Sequence, residues 1–151
     1  PGHGTGGDHR PHRRPNRRRE VVSAFSIDVV SIFCQDHEAL AAFYSEVMGF
    51  PEITVLRSPI FIGLDAGGAT LGFHHNDAYD LLDLADRRSP TGTAVHITFS
   101  VASDDEVEAA VETILAAGGT LLKAPYDSYY NARQIVAADP EDNVFRVTHQ
   151  R

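Results

Sequence analysis

The segment from Thr93 to Gly119 reads TAVHITFSVASDDEVEAAVETILAAGG. Its second half has the start, stripe and stop of an amphipathic helix. Ser103 with Glu106 three residues on is a capping-box pattern that satisfies otherwise orphaned amides, each cap being worth roughly 1 kcal/mol. Val107, Ala110, Val111, Ile114 and Leu115 fall at helical spacing on one face, and Gly118 and Gly119 end the run. The first half alternates: Ile97, Phe99 and Val101 point one way, His96, Thr98 and Ser100 the other, as in a strand with one buried face. His96 thus stands on the polar face of a strand that feeds a helix. By residue type it is open to three readings: a metal ligand, a contact in a ligand pocket, or a strand histidine satisfied by its neighbours.

The same pattern occurs 67 residues earlier. In CQDHEALAAFYSEVMGF, Asp36 is the expected N-cap, and Leu40, Phe43, Tyr44, Val47 and Met48 stand 67 positions before Val107, Ala110, Val111, Ile114 and Leu115. The preceding strand obeys the same offset. Val29, Ser31 and Phe33 take the register of His96, Thr98 and Ser100, while Val30, Ile32 and Cys34 face the helix, so His96 is matched by Val29. Three strand-like runs follow each helix: EITVLR, IFIGLDA and ATLGFH in the first copy, TLLKA, RQIVAA and NVFRVTH in the second, with DPEDN as the last tight turn. The chain reads as an α+β protein of two tandem βαβββ modules, residues 26–75 and 93–149. Residues 76–92, with one short helix, join them inside a single domain spanning 25–151.

Bulk properties narrow the function classes. Of the 13 basic residues, Arg10, Arg13, Arg14, Arg17, Arg18 and Arg19 lie in the first twenty positions, with Asp8 and Glu20. The remainder carries 7 basic and 19 acidic residues, a net charge of 7 − 19 = −12. Residues 1–24 have no apolar periodicity and are expected to be a disordered basic tail on an acidic body. Such an arm can touch nucleic acid, but a leader or a loose tail resting on the body explains it as well, and no nucleic-acid role is assigned. No uncharged run approaches the length of a membrane span, and the single Cys34 has no partner for a disulfide or a CxxC site, which fits a reducing cytoplasm.

Two tandem βαβββ units, with FYSEVMGF after the first helix and DPEDNVFRV in the last hairpin, resemble the vicinal oxygen chelate superfamily of glyoxalases, bleomycin-resistance proteins and extradiol dioxygenases. The resemblance implies curved, cup-like mixed sheets with the helices outside, a ligand between the copies or between subunits, and a homodimer. In metal-dependent members it implies ligands from the first and last strand of each copy, positions that fall here on Val29, His96, Gly72 and Arg146. Valine and glycine offer no donor atom, and a guanidinium repels a cation. No metal is therefore expected in the usual site; a remodelled one on His74 and His96, holding a divalent ion, is the alternative.

With metal set aside, the expected pocket draws on Phe33, His96, Thr98 and Arg146. The tyrosine-rich stretch APYDSYYNARQ contributes Tyr129, Tyr130 and Arg133, either as a rim suited to a planar ligand or as an interface. The resemblance then points to a metal-independent, drug-binding type of protein that holds an organic small molecule, and the acidic body favours a cationic or aromatic one. The rival reading is an enzyme of the same superfamily, a lyase, isomerase or dioxygenase. There His96 is the candidate catalytic acid or base, with or without a divalent metal.

Overall fold

A computed structural model describes residues 27–88 and 95–151. The expected tail at 1–24 and part of the linker lie outside these residues. The first module contains β1 (Val29–Cys34), α1 (His37–Met48), β2 (Phe61–Asp65) and β3 (Thr70–His75), followed by a one-turn helix α2 (Ala78–Leu81). The second contains β4 (Ile97–Ser100), α3 (Asp104–Ala116), β5 (Thr120–Asp127), β6 (Ala132–Ala138) and β7 (Val144–Gln150). Their strands form two sheets, ordered β1-β3-β2 and β4-β7-β6-β5. Each is mixed, because β1 pairs parallel with β3 and β4 with β7 while the remaining pairs are antiparallel.

Both long helices begin where the caps require. The Asp36 carboxylate accepts from the Ala39 amide at 3.0 Å, and Ser103 Oγ accepts from the Glu106 amide at 3.2 Å. Glu106 reaches one residue further back than the capping box implies, taking the Ala102 amide at 2.7 Å. Gly49 closes α1 with φ 73°, a left-handed conformation that a β-carbon would strain. Four of the five stripe positions of α3 face the core side, but Leu115 is 51% exposed. The apolar arc of this helix is narrower than its sequence implies.

The second departure is EITVLR. Instead of a strand, it holds a single bridge, Glu52 to Leu64, and then a 3₁₀ turn at Thr54–Leu56. The turn brings Arg57 back onto Glu52 at 2.7 Å and onto Glu38 of α1 at 3.1 Å. In an extended strand, residues five apart would stand about 17 Å from each other and that ion pair could not form. The first sheet consequently has three strands where the second has four.

The two modules share one core. Tyr44 of α1 lies 5.3 Å from Phe73 of β3 between ring centroids, 5.7 Å from Phe145 of β7 and 6.0 Å from Phe99 of β4. Its hydroxyl donates at 2.9 Å to Asp139, a carboxylate only 3% exposed in the DPEDN turn of the other module. Asp139 also accepts from the Glu141 and Asn143 amides and from Asn143 Nδ2, the partners a buried carboxylate requires. Burial nonetheless raises its pKa. From the same turn Glu141 accepts the Gln35 and Asp36 amides at the start of α1. One module's last hairpin therefore caps the other's first helix.

Candidate functional site

The concave faces of the two sheets, opposite the helices, can be compared position by position. β1 places Ser31 opposite Gly72, and β4 places Thr98 opposite Arg146. The offsets are 98 − 31 = 67 on the first strands and 146 − 72 = 74 on the last. Gly72 and Arg146 are therefore equivalent positions of the repeat.

In the first module that face is filled by aromatic rings. A β-carbon on Gly72 would stand 2.6 Å from Phe61 Cε2 and 2.9 Å from Ser31 Oγ, so glycine is required because the Phe61 ring lies over it. Next to it His74 stacks on Phe33 at 5.3 Å and against Phe61 at 4.7 Å, and Phe33 in turn stacks on Tyr79 at 4.0 Å. His74 Nδ1 is buried without a hydrogen-bond partner among the described residues, and desolvation lowers the pKa of the ring.

The same face of the second module is polar and ordered by hydrogen bonds. Arg146 donates from Nε and Nη2 to Thr98 Oγ1 at 3.2 and 3.1 Å, and from Nη1 to the Tyr130 hydroxyl at 3.1 Å. Tyr130 donates to Gln134 Oε1 at 2.8 Å, and Thr148 donates to the same oxygen at 3.3 Å. Gln134, 2% exposed, passes its amide N–H to the Tyr126 hydroxyl. The network fixes the guanidinium from two sides.

Between the modules runs a cleft of about 750 Å³, with Ser31, Phe33 and Tyr79 on one wall and His96, Asn143 and Val144 on the other. Arg146 is not one of its walls; it lies two residues along β7 from Val144, on the same face. His96 sits just before β4, exposed on the cleft.

Of the residues singled out from sequence, Thr98, Tyr130 and Arg146 come together directly, while Phe33 and His96 line the same cleft. Tyr129 does not join them: it is fully exposed and packs edge-on to Tyr130 at 5.0 Å. Arg133 is turned to the opposite face, where it pairs with Glu108 of α3 and with Asp127. Strand alternation carried that information, because Arg133 shares its parity with Ile135 and Ala137, which are fully buried under α3. The same rule points Gln134 inward, a residue that charge-based reading passed over. Phe61 was missed because nothing in IFIGLDA indicates that its ring folds over a glycine on the neighbouring strand.

A metal ion does not fit the superfamily's usual positions. Val29 and Gly72 have no donor atoms, Phe61 covers the space in front of Gly72, and Arg146 brings a positive charge. Among the described residues no three His, Cys, Asp or Glu side chains converge. His74 lies within the aromatic stack of the first module and His96 on the cleft wall formed by the second.

Comparison with known proteins bears on the family and the fold. Residues 25–148 match the model of the glyoxalase-like domain. A glyoxalase/bleomycin resistance protein/dioxygenase family enzyme from Burkholderia phytofirmans PsJN is 44% identical, with a TM-score of 0.81 over 82% of this chain and 98% of that one. A glyoxalase-related enzyme from Fulvimarina pelagi shares the fold at 23% identity and TM-score 0.68, covering 83% and 88% of the two chains. A lactoylglutathione lyase from Agrobacterium tumefaciens does so at 19% and 0.63, covering 82% and 92%. None of the curated proteins matches the chain. The family match over 25–148 and the 44% identical relative establish that this chain belongs to the glyoxalase-like domain family.

Proposed function

We propose that the protein binds a planar organic small molecule between its two modules, without a metal ion. The observation that carries this reading is the cleft of about 750 Å³, lined by the stacked pair Phe33 and Tyr79 and by His96, with Val144 of its lining two residues along β7 from Arg146 of the ordered Thr98–Arg146–Tyr130 face. Its size falls in the range of small-molecule sites, which combine apolar walls with a few fixed polar groups. Binding by sequestration, as in the drug-binding members of the superfamily, needs nothing more. A thermal-shift screen of planar organic compounds in the presence of a chelator tests it: ligands that raise the melting midpoint equally with and without chelator support the reading, and ligands that act only with added metal contradict it.

A second reading is favoured by the exposure of His96 on the cleft wall. There the imidazole would move a proton on the bound molecule, as a lyase or isomerase requires. His96→Ala should then abolish turnover while weakening binding only a few fold; a sequestering protein has no turnover to lose. A homodimer is proposed on the family resemblance and is tested by light scattering of the eluting protein. A reducing cytoplasm suits the lone Cys34, whose thiol burial pushes up to about 12.

A further inference from the structure

The bound molecule can be narrowed further by the donors and acceptors of the second module's concave face. Of the six arginines in the described residues, Arg57, Arg88, Arg133 and Arg151 each pair with a carboxylate, while Arg87 and Arg146 have none within ion-pair distance among those residues. Arg146 is bonded only to the neutral hydroxyls of Thr98 and Tyr130, and among the described residues no carboxylate lies within ion-pair distance. A guanidinium has five N–H groups; three are used here, which leaves two without a partner among the described residues.

The neighbouring groups are polarised in the same sense. Thr98 Oγ1 accepts from both Nε and Nη2, so both its lone pairs are engaged and its own proton is left to donate. Tyr130 has already given its proton to Gln134, so its oxygen is committed as the acceptor for Arg146. At its centre the face offers donors, and such an arrangement selects a group that only accepts.

We infer that the ligand is an organic carboxylate whose anionic group docks on Arg146 and Thr98. The inference rests on the reading that an organic molecule binds in the cleft between the modules, whose lining reaches Val144, two residues along β7 from Arg146. It also explains why position 146 breaks the metal-ligand pattern: the positive charge there belongs to the chain itself. The acidic body attracts cations at long range, but that field is screened over about 10 Å in ordinary salt. At Arg146 itself the guanidinium and its fixed N–H groups govern, whereas the carboxylates lining the cleft, Glu141 and Asp142, stand on the turn before β7, where Glu141 is engaged by the Gln35 and Asp36 amides.

The test uses one ring with three charges: 2-naphthoate, 2-naphthamide and 2-naphthamidine, titrated calorimetrically into the full chain and into Arg146→Ala, Arg146→Lys and Thr98→Val, each first checked for native circular dichroism and melting. The expected result is naphthoate binding at least tenfold tighter than the amide, no detectable amidine binding, and a loss of at least tenfold in Arg146→Ala. Arg146→Lys should recover part of that loss, and Thr98→Val should weaken naphthoate several fold. Amide or amidine binding as tight as naphthoate, or naphthoate binding unchanged in Arg146→Ala, overturns the inference while leaving an organic-binding cleft in place. Binding of none of the three at millimolar concentration overturns both.

Discussion

The first and second modules order their equivalent strands alike, the second with one strand more, and each carries one long helix, yet their concave faces are opposite in character. The first packs Phe61, His74 and Phe33 over Gly72; the second arrays Arg146, Thr98, Tyr130 and Gln134 as a bonded polar surface. Duplication lets one copy close its face with side chains while the equivalent face of the other stays available for a ligand. Substitutions at equivalent positions should then have different consequences, structural in the first copy and functional in the second.

The largest effect tests what the copies share. Phe145 is fully buried against Phe43, Tyr44 and Phe99 from both modules, so Phe145→Ala should cost about 3–5 kcal/mol. Urea unfolding followed by far-ultraviolet circular dichroism and tyrosine fluorescence should give one coincident, shifted transition; two separate transitions would mean the halves fold independently. Tyr44→Phe removes the donor that links α1 to the buried Asp139 and should cost about 1.5–3 kcal/mol in the same assay.

Next comes the pair of equivalent positions. Gly72→Ala forces a β-carbon against the Phe61 ring and should destabilise by about 1–3 kcal/mol, with part of the loss recovered when Phe61→Ala is added. Arg146→Ala should change stability by only about 0.5 kcal/mol, since its partners are hydroxyls and no buried charge is left unpaired. Equal losses at the two positions would erase the contrast between the copies.

The smallest effect is a pH dependence in the first copy. Burial holds the His74 pKa below its ordinary value of 6.5. Below pH 6.5 the unfolded chain therefore takes up the proton before the folded one does. The stability associated with a neutral His74 is full above pH 6.5, declines as pH falls toward the folded-state pKa, and levels off beneath it. His74→Phe should flatten the fall in urea midpoint between pH 7.5 and 5; an unchanged slope would place the titrating group elsewhere.

Much of this architecture is legible in the sequence, and for physical reasons. The 67-residue offset is carried by helix stripes and caps, which depend on local spacing. The segment EITVLR reads as a strand by β-propensity, which depends on context, yet it turns at Thr54–Leu56 and brings Arg57 onto Glu52 and Glu38. In the site, Thr98 and Arg146 were legible through the repeat, while Arg133 attracted attention by its charge although its parity puts it under α3. Gln134 and Phe61 depend on contacts between strands that the sequence places far apart, so neither had a local signal.

The contrast between the copies is tested most directly by mapping amide chemical shifts in the ¹⁵N-labelled protein as 2-naphthoate is added. The expected result is a set of perturbations centred on Thr98, Tyr130, Gln134 and Arg146, extending to His96 at the cleft. Perturbations confined to Phe61, Gly72 and His74, or to the apolar groove between α1 and α3 lined by Met48 and Ala110, would contradict a ligand site on the second copy.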